Sequence, residues 1–134
     1  MSLNPIQLAV NGTLMRGLAL NGNLTQIGGT FLREAQTAPC YRLWSIRDIH
    51  PGMIRTSQGG SAIALEIWEI PALGLSQLLL QEPPGLSVGR ILLSDQTEVL
   101  GILAEPYLCE GQTEITAWGG WRAYIESLTK NSKS

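Results

Sequence analysis

Ala62-Ile63-Ala64-Leu65-Glu66-Ile67-Trp68-Glu69-Ile70 is the stretch that decides the fold. It is apolar on both faces apart from Glu66 and Glu69, which predicts a strand covered on both sides and therefore central in a sheet. Gly59-Gly60 marks a turn ahead of it. Behind it Pro71 suits the first position of a short helix, with Leu75, Leu78 and Leu79 on one face as far as Gln81, and Pro83-Pro84-Gly85 ends that helix. Further along, Val88 to Leu93 and Val99 to Ala104 flank Ser94-Asp95-Gln96-Thr97 and read as a hairpin. A last helix follows Trp118-Gly119-Gly120, with Trp121, Tyr124, Ile125 and Leu128 on one stripe.

Upstream of the central run, Ile6 to Asn11 alternates as a strand and leaves Asn11-Gly12-Thr13-Leu14 on a loop at its end. The segment from Arg16 to Gly29 is rich in Gly and Asn and reads as loop, with a helical turn at Leu24 to Ile27. Thr30 to Thr37 extends as a strand, Pro39 interrupts, and Cys40 to Arg47 alternates again. His50 falls in Asp48-Ile49-His50-Pro51-Gly52, a turn-like context.

The chain has 134 residues, of which 44% are apolar and 15% charged, with 15 Gly and 7 Pro. That is room for one domain, residues 1–129, with a polar tail at 130–134. Five or six strands with one short middle helix and one terminal helix make an α+β domain. Its sheet must curl to bury both faces of the central strand, so a small closed or nearly closed mixed β-barrel is expected.

Nine basic residues against eleven acidic ones give a net charge of −2. The basic residues are scattered, so no stripe exists to track a phosphate backbone, and nucleic acid is excluded as a partner. No apolar run is long enough to span a bilayer and the start Met1-Ser2-Leu3-Asn4-Pro5 carries no basic leader, which points to a cytoplasmic protein without membrane contact. Sparse surface charge points to a homodimer. Cys40 and Cys109 lack the spacing of a zinc site or a redox loop and read as buried thiols, and His50 has no neighbouring ligand, so neither a metal nor another cofactor is expected.

Four places carry candidate chemistry. In Asn11-Gly12-Thr13-Leu14, Gly12 allows close approach and the amides of Gly12 to Leu14 can converge on an anionic oxygen. Tyr41 and Arg42 occupy adjacent, opposite-facing strand positions, so one of them at most points inward; Arg42 would clamp a carboxylate and Tyr41 would bond an amide or pack. Arg16 is an alternative clamp. Trp118 and Trp121 would line a pocket, a dimer contact or the packing of the last helix.

Val10-Asn11-Gly12-Thr13-Leu14-Met15-Arg16-Gly17 resembles the opening loop of the gamma-glutamyl cyclotransferase superfamily. Nearly the whole chain resembles one of its members, the C-terminal domain of allophanate hydrolase. The landmarks are Leu20-Asn21-Gly22-Asn23-Leu24, Thr37-Ala38-Pro39-Cys40-Tyr41-Arg42-Leu43, the strand from Gly60 to Pro71, and Ile115-Thr116-Ala117-Trp118-Gly119-Gly120-Trp121-Arg122-Ala123-Tyr124. The resemblance implies a pocket for a small carboxylated amide or carbamate, with the first loop as donor; a separate amidase is the partner only where the domain is a non-catalytic accessory module. The histidine it implies for decarboxylation has Thr13 at its place, and a hydroxyl does not titrate near neutrality. In the cyclotransferase branch a glutamate after the central strand and short helix carries the proton instead, and Glu82 is the matching position. Three functions stay open: a domain that binds and transforms such a metabolite, a cyclotransferase-like lyase using Glu82, and a non-catalytic accessory or oligomerisation module.

Overall fold

The computed structural model describes residues 4–132. In chain order the elements are β1 (Ile6–Val10), α1 (Asn21–Gln26), β2 (Thr30–Gln36), β3 (Tyr41–Ile46), β4 (His50–Arg55), β5 (Ala64–Ile70), α2 (Gly74–Leu80), β6 (Leu86–Leu92), β7 (Glu98–Ala104), α3 (Pro106–Cys109), β8 (Thr113–Glu114) and α4 (Trp121–Ser132). A single 3₁₀ turn, Thr116–Trp118, leads into α4.

β5 is interior, as its sequence requires, but the middle strand is β1: the larger sheet runs β2-β5-β1-β7-β6, and Leu8, Ala9 and Val10 are all fully buried. β1 pairs antiparallel with β5 and parallel with β7, and β6 pairs antiparallel with β7. β5 and β6 therefore run the same way, and α2 is the crossover between them. β5 ends at the N-terminal end of β1, where Ile70 faces Ile6, whereas β6 begins beside Ala104 at the other end. The segment from α2 to β6 must travel the length of β1, and this delivers residues 82–86 to the loop after Val10.

A closed barrel does not form. The edges β2 and β6 are joined by one bridge, Thr37 to Leu93, with Ala38 N donating to Leu92 O and Ser94 N to Gln36 O. Pro39 then follows, without an N–H to extend a ladder, and the chain turns away into β3. Tyr41, Leu43 and Met53 from the smaller sheet, order β4-β3-β8, close the core over the larger one.

Four local expectations need correction. The sequence His50-Pro51-Gly52 is not a turn but the start of β4, an edge strand, where a proline lacking a donor is tolerated. α2 begins at Gly74 rather than Pro71, whose carbonyl instead accepts from Gly74 N at 2.9 Å. A helix, α1, occupies the middle of the Arg16 to Gly29 stretch. α4 continues through Lys130 to Ser132, so the expected loose tail is helical that far, and 133–134 lie outside the described residues.

Candidate functional site

The loop after β1 is held by its carbonyls. Those of Gly12, Thr13 and Leu14 accept from Met15 N at 3.0 Å, Leu20 N at 2.9 Å and Asn21 Nδ2 at 2.8 Å. The Asn11 amide, buried, donates to Ile102 O at 3.0 Å and so ties the loop to β7. None of the amides of Gly12, Thr13 and Leu14 donates to a protein acceptor among the described residues. Three consecutive donors are thus left without a protein acceptor on a loop that lines a cavity, an arrangement that can accept an anionic oxygen. Gly12 is required for it: a Cβ there would lie 2.5 Å from Pro51 Cδ and 2.6 Å from Pro51 Cγ, inside a rigid ring.

Val10, Asn11, Gly12, Thr13 and Leu14 line a shallow cavity together with His50, Pro51, Glu82, Leu86 and Ile102. Its volume is about 20 Å³, room for about one water. Glu82 sits just past α2, half-buried, and its carboxylate has no hydrogen bond or ion pair among the described residues. Burial pushes its carboxyl up to about 7. The imidazole of His50 is buried, and its Nδ1 lies 3.0 Å from the carbonyl of Pro51. A carbonyl only accepts, so Nδ1 is the donor in this contact. His50 was missed as a site residue because Pro51-Gly52 masks the strand that places it.

The other sequence candidates lie elsewhere. Arg16 N and Nε donate to Glu66 Oε1 and Oε2 at 2.9 and 3.1 Å, and Arg16 Nη2 pairs with Glu34 at 2.9 Å while its guanidinium stacks on Phe31. Arg122 Nη2 reaches the same Glu66 at 3.2 Å and Trp68 Nε1 donates to it at 3.1 Å. Burial raises the Glu66 carboxyl, but these four donors outweigh it and hold the group below its ordinary value. Glu66 is thus a staple from β5 to the end of the first loop. Tyr41 is wholly buried and its hydroxyl accepts from Leu92 N at 2.9 Å. Arg42 forms a two-pronged pair with Glu114, Nε at 2.9 Å and Nη2 at 2.5 Å. None of the three lines the cavity. Cys109 is buried, with its thiol pushed up to about 11 by burial, whereas Cys40 is only half-buried.

No group of His, Cys, Asp and Glu among the described residues is arranged to hold a metal ion, and no helix among them is long and apolar enough to cross a membrane.

A mixed sheet with a parallel β1–β7 pair and a helical crossover is the gamma-glutamyl cyclotransferase-like fold. An AIG2-like protein from Mus musculus shares it at 17% identity, with a TM-score of 0.59 over 77% of this chain and 78% of that one. Within that fold the chain belongs to the allophanate hydrolase C-terminal domain family, whose model matches residues 6–126. The solved structure of a uropathogenic E. coli-specific protein is 54% identical, with a TM-score of 0.91 over 92% of this chain and 98% of that one. Urea amidolyase of Saccharomyces cerevisiae is 30% identical over 93% of this chain, which spans only 7% of that relative's length.

Proposed function

We propose that the chain binds a small carboxylated amide or carbamate at the loop after β1, and that Glu82 gives a proton to the nitrogen of a C–N bond as it breaks. The observation that carries this reading is the meeting of three unused amides with a partnerless, desolvated carboxyl in one cavity. The amides of Gly12, Thr13 and Leu14 hold the ligand's carboxylate, and Glu82, with a value close to neutrality, is both donor and acceptor there. Arg16 and Arg42 are committed to Glu66 and Glu114, so the cradle rather than a guanidinium supplies the anion contact.

Two substrate types share this step. In a γ-glutamyl amide the α-amine attacks the γ-carbonyl, the amide C–N bond breaks, and the amine's proton reaches the leaving nitrogen through Glu82. In an N-carboxylated amide the C–N bond to the carboxylate breaks, carbon dioxide leaves, and the nitrogen takes the Glu82 proton, which water replaces. The shallow cavity admits about one water, so either ligand requires it to widen.

The test pairs turnover with binding. L-γ-glutamyl-L-alanine is followed for 5-oxoproline and N-carboxycarbamate for carbon dioxide, while malonamate, a stable carboxylated amide, is titrated by calorimetry. One of the two turnovers is expected in the wild type, lost in Glu82→Gln with malonamate binding retained. A wild type that turns over neither and leaves malonamate unbound, or a Glu82→Gln protein of undiminished rate, overturns the reading.

Leu73 and Leu80, 79% and 87% exposed at the two ends of α2, would be the contact through which a homodimer forms or a separate amidase docks. A monomer in gel filtration that also fails to bind the amidase removes this part.

A further inference from the structure

A second cavity, of about 760 Å³, is separate from the Glu82 cavity and shares no lining residue with it. It is a groove between the β2–β5 pair, Leu93 to Asp95 of the hairpin turn, and the start of α4. We propose that this groove is a second binding site, for an uncharged planar molecule bearing a carbonyl oxygen, such as an aromatic amide.

Three observations carry this. Trp121 lines the groove, is 2% exposed, and its Nε1 is a buried side-chain donor without a partner among the described residues. Buried donors are nearly always bonded, so an acceptor from outside the protein is the expected completion, and indole N–H groups only donate. Trp118 also lines the groove and is 44% exposed, held by an edge contact to Tyr124 at 5.4 Å and 83°. It offers a fixed aromatic surface to a flat ligand.

Charge then disfavours an anionic one. The carboxylates of Glu34 and Glu66 are paired with Arg16 and Arg122, and Asp95 accepts from Thr97. Asp95 keeps its charge while it accepts from Thr97, so with Arg33 and Glu126 the lining retains a small negative excess that disfavours an anion. The volume is that of a small-molecule pocket.

Benzamide is the probe, read through the indole N–H signals in a ¹H–¹⁵N spectrum, with Trp121 assigned by its loss in Trp121→Phe. Benzamide is expected to shift the Trp121 proton downfield in a saturable way and to leave Trp44, on the smaller sheet, unmoved. Cyclohexanecarboxamide, with the same carbonyl and no flat ring, should bind roughly tenfold more weakly. Ala123 is exposed, lines the groove and lies in the first turn of α4, so Ala123→Leu fills the groove while keeping a good helix former. It should abolish the shift with melting temperature unchanged. An unmoved Trp121 proton, a shift that survives Ala123→Leu, or tighter binding of benzoate or benzylamine than of benzamide overturns the proposal.

Discussion

Replacing Glu82 by glutamine should change how stability depends on pH, whatever the ligand. The Glu82 carboxyl stands at about 7 against an ordinary 4.5, through burial. A raised value means that the folded chain still holds a proton that the unfolded chain has released, so stability is fully present below about pH 4.5 and is lost as pH rises to about 7. The rise from 4.5 to about 7, at roughly 1.4 kcal/mol for each pH unit, amounts to about 3.5 kcal/mol as an upper figure, which partial exposure reduces to about 3 kcal/mol. Glutamine keeps the shape and does not ionise. Any constant cost of its amide cancels when the wild type and Glu82→Gln are compared across pH. Urea unfolding followed by tryptophan fluorescence should therefore show the variant gaining on the wild type by about 3 kcal/mol between about pH 4 and pH 8, with little change outside that window. A difference that stays constant across this range would show a solvated Glu82 with an ordinary carboxyl, and the proton-transfer role would fall with it.

Two further outcomes follow from the loop and its anchor. Gly12→Ala drives a methyl into the Pro51 ring, so it should cost about 1–3 kcal/mol in urea unfolding and abolish malonamate binding, because the ring cannot yield without moving β4. Glu66→Gln should cost about 2 kcal/mol at neutral pH, since bonds to a charged acceptor are lost while Arg16 and Arg122, both partly exposed, stay solvated. Because the Glu66 carboxyl lies below its ordinary value, that difference should shrink as pH falls through the acid range, the opposite trend to Glu82.

The elements legible in the sequence were those whose local pattern and tertiary environment agree. Ala62 to Ile70 carries apolar residues on both faces and is an interior strand, and the alternation of Tyr41, Leu43 and Ser45 places exactly those side chains in the buried interior. What was hidden depends on partners distant in sequence. β4 begins with His50-Pro51-Gly52, residues that punctuate loops, and is a strand because β3 pairs with it along its whole length and because Gly52 lets it approach β7, where a Cβ would lie 3.0 Å from that of Ala104. The missing closure of the sheet likewise depends on where Pro39 redirects the chain. Of the site, the donor loop and Glu82 were legible through motif resemblance. Their meeting follows from the crossover, which no single segment encodes.

A fold selected for stability alone would not leave this cavity as it is. A desolvated carboxyl without a partner and three amides without acceptors each carry a free-energy cost, and an arginine or a backbone contact would relieve it. Such relief exists nearby: Glu66, on the strand next to β1, is only 2% exposed and accepts four hydrogen bonds. The chain can therefore satisfy a buried glutamate where one serves structure. Glu82 differs in that the amides from Gly12 to Leu14 line the same cavity and yet none of them bonds to its carboxyl. Local costs that persist together around one small cavity are the observation on which the proposed ligand site rests.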